Sequence, residues 1–140
     1  MSTFSHPAME QQADLPMVYT AYSKHLFWCR ELISVFVLEL GAVPLNPFMI
    51  FAYFLTDKVS RDDVRRGNNT VVRRSDELWV FGPISDGVLS EIILAQDLGK
   101  KIRYFAVKNS RTGTTFTEIT VHYVVMEQEV EDQKHLLQVK

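Results

Sequence analysis

Hydrophobic positions along the chain come in blocks, and the period changes from block to block. MVYTAY (17–22) is rich in β-favouring residues and reads as a short strand. The next block predicts a helix from about Lys24 to Glu39, ended by Gly41, a residue suited to a left-handed cap. AVPLNP (42–47) reads as a second short strand closed by its proline. FMIFAYFL (48–55) is apolar throughout, and a run this short hides its period; it is assigned as a short helix. Ser60, with Asp62 and Asp63 behind it and arginines further on, predicts a helix start, because acids suit the positive end of the helix dipole and bases the negative end. That helix runs to about Arg74. ELWVFG (77–82) is continuously apolar, as in strands buried on both faces. A helix from about Gly87 to Leu98 follows, stopped by Gly99, and KIRYFAV (101–107) forms the next strand.

Strands alternating with helices imply an α/β chain with a parallel sheet and right-handed crossovers. Beyond Lys108 the pattern changes: NSRTGTTF is turn-rich, TEITVHYVV (117–125) alternates like a strand, and EQEVEDQKHLLQV (127–139) fits a short terminal helix. No internal repeat or low-complexity segment breaks the chain. At 140 residues and 46% hydrophobic it has the length and apolar content of one ordinary domain. The expected layout is a flexible leader over 1–16 and a single domain over 17–140. The leader has no basic start followed by an apolar run, so it does not read as a secretory signal.

A net charge of −2 gives no electrostatic case for nucleic acid or an anionic membrane, whose partners carry a basic excess. Arginines 61, 65, 66, 73 and 74 are offset by Asp62, Asp63 and Asp76, as on a solvated helix face. HLFWCRELISVFVLELGAVPL (25–45) is very apolar, yet Arg30, Glu31 and Glu39 interrupt it well before the ~20 residues of a membrane span. The one cysteine, Cys29, sits among Phe27, Trp28 and Leu32, as a structural thiol in a reducing, cytoplasmic compartment would.

In open α/β sheets ligands bind outside the carboxyl ends of the strands. That rule selects three loops: AYSKH (21–25), LNPF (45–48) and GPISDG (82–87). In the third, Gly82, Pro83 and Gly87 shape a tight connection, Ser85 or Asp86 caps the helix, and amides of the first turn face the cleft. At about 100° per residue, Glu91 falls between Leu98 and Ala95, towards apolar neighbours. A carboxylate there is costly unless paired or used. Reaching solvent at the cleft rim, or pairing with an arginine, explains it as well as function does.

The segments VYTAYS (18–23) and SDELWVFGPISDGVLSEIILAQDLGKKIRYF (75–105), with the helix before the latter, resemble the nucleoside 2-deoxyribosyltransferase-like superfamily. They resemble in particular a bacterial branch with a DELWVFG…SxGxxxEI…LGxxIRYF pattern, and are similar to deoxynucleoside 5′-monophosphate N-glycosidases. The likeness spans about residues 17–107. It implies a flavodoxin-like (Rossmann-like) three-layer sandwich with a mostly parallel sheet of about five strands. It also implies cleavage or transfer at the N-glycosidic bond of a nucleoside or nucleotide, no cofactor, and a homo-oligomer, dimer or tetramer. The GxxxE stretch places the nucleophile at Glu91, Tyr19 matches the tyrosine that orients it, and Ser23 matches a serine of the nucleotide-hydrolysing branch. Ser85 falls where that branch binds phosphate, which favours a 5′-monophosphate; a plain cap explains it equally well.

Two positions depart from the pattern. Asn68 stands where catalytic members have an aspartate, eight residues ahead of Asp76, and an amide neither donates nor accepts a catalytic proton. Asp86, beside the same loop, is the candidate substitute. His25 replaces an arginine and meets a phosphate well only when protonated. Asn46 in the second loop completes the candidate binding set. Phe48, Phe51, Tyr53 and Phe54 suit either base stacking or core. The four histidines lack metal-ligand spacing, no elbow motif marks a serine nucleophile, and RRGNNT (65–70) lacks a phosphate-loop pattern, leaving Gly67 as a close-packing point. Three functions remain: a glycosidase or transferase, a nucleotide-binding or sensing domain without turnover, and an assembly module.

Overall fold

The computed structural model describes residues 3–51 and 58–137. Its sheet has five strands in the order β2-β1-β3-β4-β5, where β1 is Met17–Tyr22, β2 Val43–Leu45, β3 Glu77–Phe81, β4 Lys101–Ser110 and β5 Gly113–Ile119. The first four run parallel, and β5 returns antiparallel to β4. The helices α1 (Arg30–Glu39), α2 (Pro47–Ile50), α3 (Arg61–Arg74) and α4 (Asp86–Asp97) fill the connections. The result is the flavodoxin-like three-layer arrangement expected from the sequence.

The layers follow from side-chain alternation along the central strands. Val18, Tyr22, Trp79, Phe81 and Phe105 face Cys29, Ile33 and Val37 of the α1 side. Tyr19, Ala21, Leu78, Val80 and Tyr104 face Val72 of α3 and Val88, Leu89, Ile92 and Ala95 of α4. Each large apolar side chain buried this way contributes roughly 1.5–3 kcal/mol. Because β1 connects to β2 on one side and β3 lies on its other side, the sheet reverses winding at β1 and β3. Their carboxyl ends open a crevice there.

Boundaries differ from the sequence expectation in four places. Residues Lys24–Cys29 form a 3-10 helix ahead of α1 rather than its first turns. Three residues per turn put Leu26 and Cys29 on the same side, where both pack against the α1-side core. The apolar run at 48–55 yields one turn capped by Asn46, and residues 52–57 lie outside the described residues. The strand expected at 117–125 instead begins at Gly113 and ends at Ile119, because Gly113 (φ 128°) closes a hairpin back onto β4. The chain beyond it turns at Val121–Tyr123 and buries Val124. The terminal helix is a 3-10 segment, Gln128–Leu137, interrupted at buried Val130 (φ −128°).

That C-terminal segment returns to the crevice. Ile84 N–H donates to the Val125 carbonyl at 2.9 Å, Glu127 N–H donates to the Ile84 carbonyl at 2.8 Å, and Ile84 and Met126 form a parallel bridge. Val124, Val130 and Leu137 anchor it in the α4-side core.

Candidate active site

Local sequence rules set the loops of the crevice. Ser23 ends β1 and caps the 3-10 helix, its Oγ accepting from His25 N–H at 3.3 Å. Gly82 ends β3 at φ 71°, and a Cβ there would lie 2.6 Å from Leu26 Cδ1, so a glycine is what lets the first loop close over the third. Ser85 caps α4, accepting from Val88 N–H at 3.3 Å, and Asp86 accepts from Gly87 N–H at 2.7 Å. These caps occupy amides of the first turn that the sequence had led us to expect facing a ligand. Among the described residues neither the Ser23 nor the Ser85 hydroxyl donates a hydrogen bond, so both protons are available to a ligand.

The loops enclose a cavity of about 730 Å³, the size of a small-molecule site. Of the residues proposed from sequence, Ser23, His25, Asn68, Ser85, Asp86, Gly87 and Glu91 line it. Tyr19, Asn46, Gly82 and Pro83 do not. Tyr19 is fully buried behind the wall, and its hydroxyl donates to Glu91 Oε2. Asn46 is a strut: its Oδ1 accepts from Tyr22 O–H at 2.5 Å and Phe48 N–H at 3.2 Å, and its Nδ2 donates to Arg30 O and Ser34 Oγ. With both amide groups engaged, it fixes β2 against α1 rather than facing the cleft. Gly82 acts through its backbone turn, and Pro83 points to solvent.

Glu91 is half-buried, and the arrangement around it is asymmetric. Burial pushes its carboxyl from the ordinary 4.5 up to about 7, while the Tyr19 hydrogen bond pulls it down. Burial, then the adjacent carboxylate, holds the Tyr19 phenol well above its ordinary range, so it stays a donor. One carboxylate oxygen is thereby tied to the strand behind it, and the side chain borders the cavity. Asn68 faces this space from α3, its Oδ1 buried and without a partner among the described residues.

Sequence reasoning missed several lining groups. Lys24 and Arg61 bring positive charge to the rim, Arg61 having been assigned to a solvated helix face. Phe48 and Phe51, two of the four aromatics weighed for base stacking, do supply apolar wall, and Phe51 packs over Gly67, where a Cβ would lie 2.9 Å from its ring. Tyr53 and Phe54 lie outside the described residues. Glu127 and Glu129 arrive from the C-terminal segment. No local signal announces them, since their placement depends on backbone pairing with Ile84, over forty residues away. Among the described residues no group of three or more His, Cys, Asp or Glu is arranged to hold a metal ion, and no helix is long and apolar enough to cross a membrane.

Residues 27–105 match the model of a domain of unknown function, DUF7768. The chain belongs to that family. The matched segment carries α1, β2, α2, α3, β3, α4 and the start of β4, and hence Asn68, Ser85 and Glu91, while Glu127 lies outside it. No curated protein matches the chain. Among solved structures it is similar to a 2-deoxyribosyltransferase from the psychrotolerant bacterium Bacillus psychrosaccharolyticus, with TM-score 0.53 and 16% identity over 64% of this chain and 72% of that one. It is also similar to a 2-desoxiribosyltransferase from Leishmania mexicana, with TM-score 0.51 and 14% identity over 89% of this chain and 99% of that one. At such identities the likeness is one of fold.

Proposed function

We propose that this DUF7768 protein cleaves or transfers at the N-glycosidic bond of a nucleoside or nucleoside 5′-monophosphate, with Glu91 as the nucleophile. The observation that carries this reading is the Glu91 carboxylate bordering a ligand-sized cavity while the buried Tyr19 hydroxyl holds it from behind. A fixed, partly desolvated carboxylate suits attack on a sugar carbon on which positive charge develops, forming a covalent sugar ester that water or a second base resolves. The 2-deoxyribosyltransferases that share the fold add an analogy. Ser23 and Ser85 retain hydroxyl protons to donate, and Lys24 and Arg61 add positive charge, joined by His25 when it is protonated, which favours a phosphorylated sugar. Phe48 and Phe51 offer apolar wall to a base. The free, buried thiol of Cys29 suits a reducing cytoplasm, and the exposed Trp28, Leu32, Val35 and Leu38 on and beside α1 suit contact with a second copy.

Asn68 favours a second reading, a nucleotide-binding domain without turnover, because it brings no ionisable proton to the cavity. The deciding experiment measures base release from ribo- and deoxyribonucleoside 5′-monophosphates, with and without an acceptor base, for wild type, Glu91→Ala and Glu91→Gln. Release abolished in both variants supports the glycosidic reading. Silence from all three, with one nucleotide still raising Tm, supports the binding domain.

A further inference from the structure

Resting on that reading, we infer that Glu127, delivered by the C-terminal segment, carries the proton between the cavity and the leaving and incoming bases. Among the described residues four carboxylates line the cavity: Asp86, Glu91, Glu127 and Glu129. Glu91 is engaged by Tyr19. Asp86 is exposed and already accepts the Gly87 amide as part of the α4 cap, and Glu129 is exposed. Glu127 differs from both: its side chain is 15% exposed, and His25 Nε2 lies 3.9 Å from its Oε1, within ion-pair range when the imidazole is protonated but outside hydrogen-bond distance. Among the described residues this largely buried carboxylate makes no hydrogen bond, which leaves its oxygens open to a group bound in the cavity.

Its position is also well defined. The Glu127 amide donates to the Ile84 carbonyl, the Ile84 amide donates to the Val125 carbonyl, and the Glu127 carbonyl accepts from Val130 N–H at 3.0 Å. Ile84 is fully buried in the loop that leads into α4, seven residues before Glu91, so the same loop sets both carboxylates. Asn68 complements this assignment. Its buried Oδ1, without a partner among the described residues, is suited to accept an N–H of the base, a positioning task that needs no titratable proton.

A lone pair of the Glu91 carboxylate forms the bond to C1′ of the sugar, and the electron pair of the C1′–N bond leaves with the base. A base nitrogen takes the proton of the Glu127 carboxyl. In the second step Glu127, now a carboxylate, takes the proton of water or of an acceptor base N–H as that group bonds to C1′, and the ester electrons return to Glu91.

The test compares full-length wild type, Glu127→Gln and Glu127→Asp on 2′-deoxyribonucleoside 5′-monophosphates whose bases form a graded series of leaving-group acidity, with Tm recorded for each protein. General acid–base catalysis is worth roughly 100- to 10,000-fold. Glu127→Gln is expected to lose about 100-fold or more on the most basic leaving group, progressively less towards the most acidic, with partial recovery in Glu127→Asp. A uniform loss across the series, or none, overturns the assignment of Glu127 and leaves the Glu91 chemistry standing. Wild type inactive on every member overturns the glycosidic reading and this inference with it.

Discussion

Tyr19→Phe removes one oxygen and isolates the contribution of the strand behind Glu91. The phenol ring is fully buried between Ala21, Leu78 and the apolar side of α4, so phenylalanine fills the same volume, and the lost group is the hydroxyl donated to Glu91 Oε2. A hydrogen bond to a charged acceptor is worth about 1.5–3 kcal/mol, or about one to two pKa units. Glu91 starts at about 7, held up by burial and pulled down by this bond. Without the bond its midpoint should rise to about 8 to 9, so the ionised fraction at neutral pH falls roughly 5- to 50-fold. The assay is a pH titration of the Glu91 carboxyl followed by carbon NMR, with Glu91→Gln assigning the signal. Base release should fall in parallel at neutral pH and recover above pH 9. An unchanged Glu91 midpoint in Tyr19→Phe would refute the reasoning.

Three further outcomes follow from the same geometry. Because the folded-state value of Glu91 is raised from 4.5 to about 7, its contribution to stability is full below pH 4.5 and is lost as pH rises towards 7; Glu91→Gln should therefore match wild type in acid and exceed it at pH 8, by on the order of 2 kcal/mol in urea unfolding, and equal stabilities at pH 8 would contradict the buried setting. Asn46→Ala leaves the buried Tyr22 hydroxyl without its acceptor and should cost about 2–3 kcal/mol, with a smaller added cost when Tyr22→Phe is present, since both changes break one bond; strict additivity in a double-mutant cycle would count against the strut. Gly82→Ala forces a Cβ at φ 71° and displaces Leu26, for a loss of about 1–3 kcal/mol read by thermal unfolding, whereas Gly99→Ala, at φ 68° with nothing within 4 Å, should cost less.

The alternation of periods was enough to place β1, β3, α3 and α4 to within a residue or so, because each is bounded by a residue with its own local chemistry: Ser60 and Ser85 at helix starts, Gly82 and Gly99 at ends. The apolar strand ELWVF called for burial on both faces, and the alternation of strands with helices called for a parallel, sandwiched sheet. The carboxylate at 91, out of place on an apolar stripe, was visible from helical spacing alone, and its superfamily resemblance suggested Tyr19 as its partner. What the chain could not announce locally is everything set by contacts distant in sequence. The alternation at 117–125 spanned a strand end and a turn because Val124 is drawn into the α4-side core. Asn46 looked like a ligand group until the Tyr22 hydroxyl and the Arg30 carbonyl took up its amide. Glu127 looked like one acid among several in a polar tail. Only the pairing of that tail with Ile84 brings its carboxylate into the cavity of Glu91, because backbone hydrogen bonds between remote segments have no signature in the residues that make them.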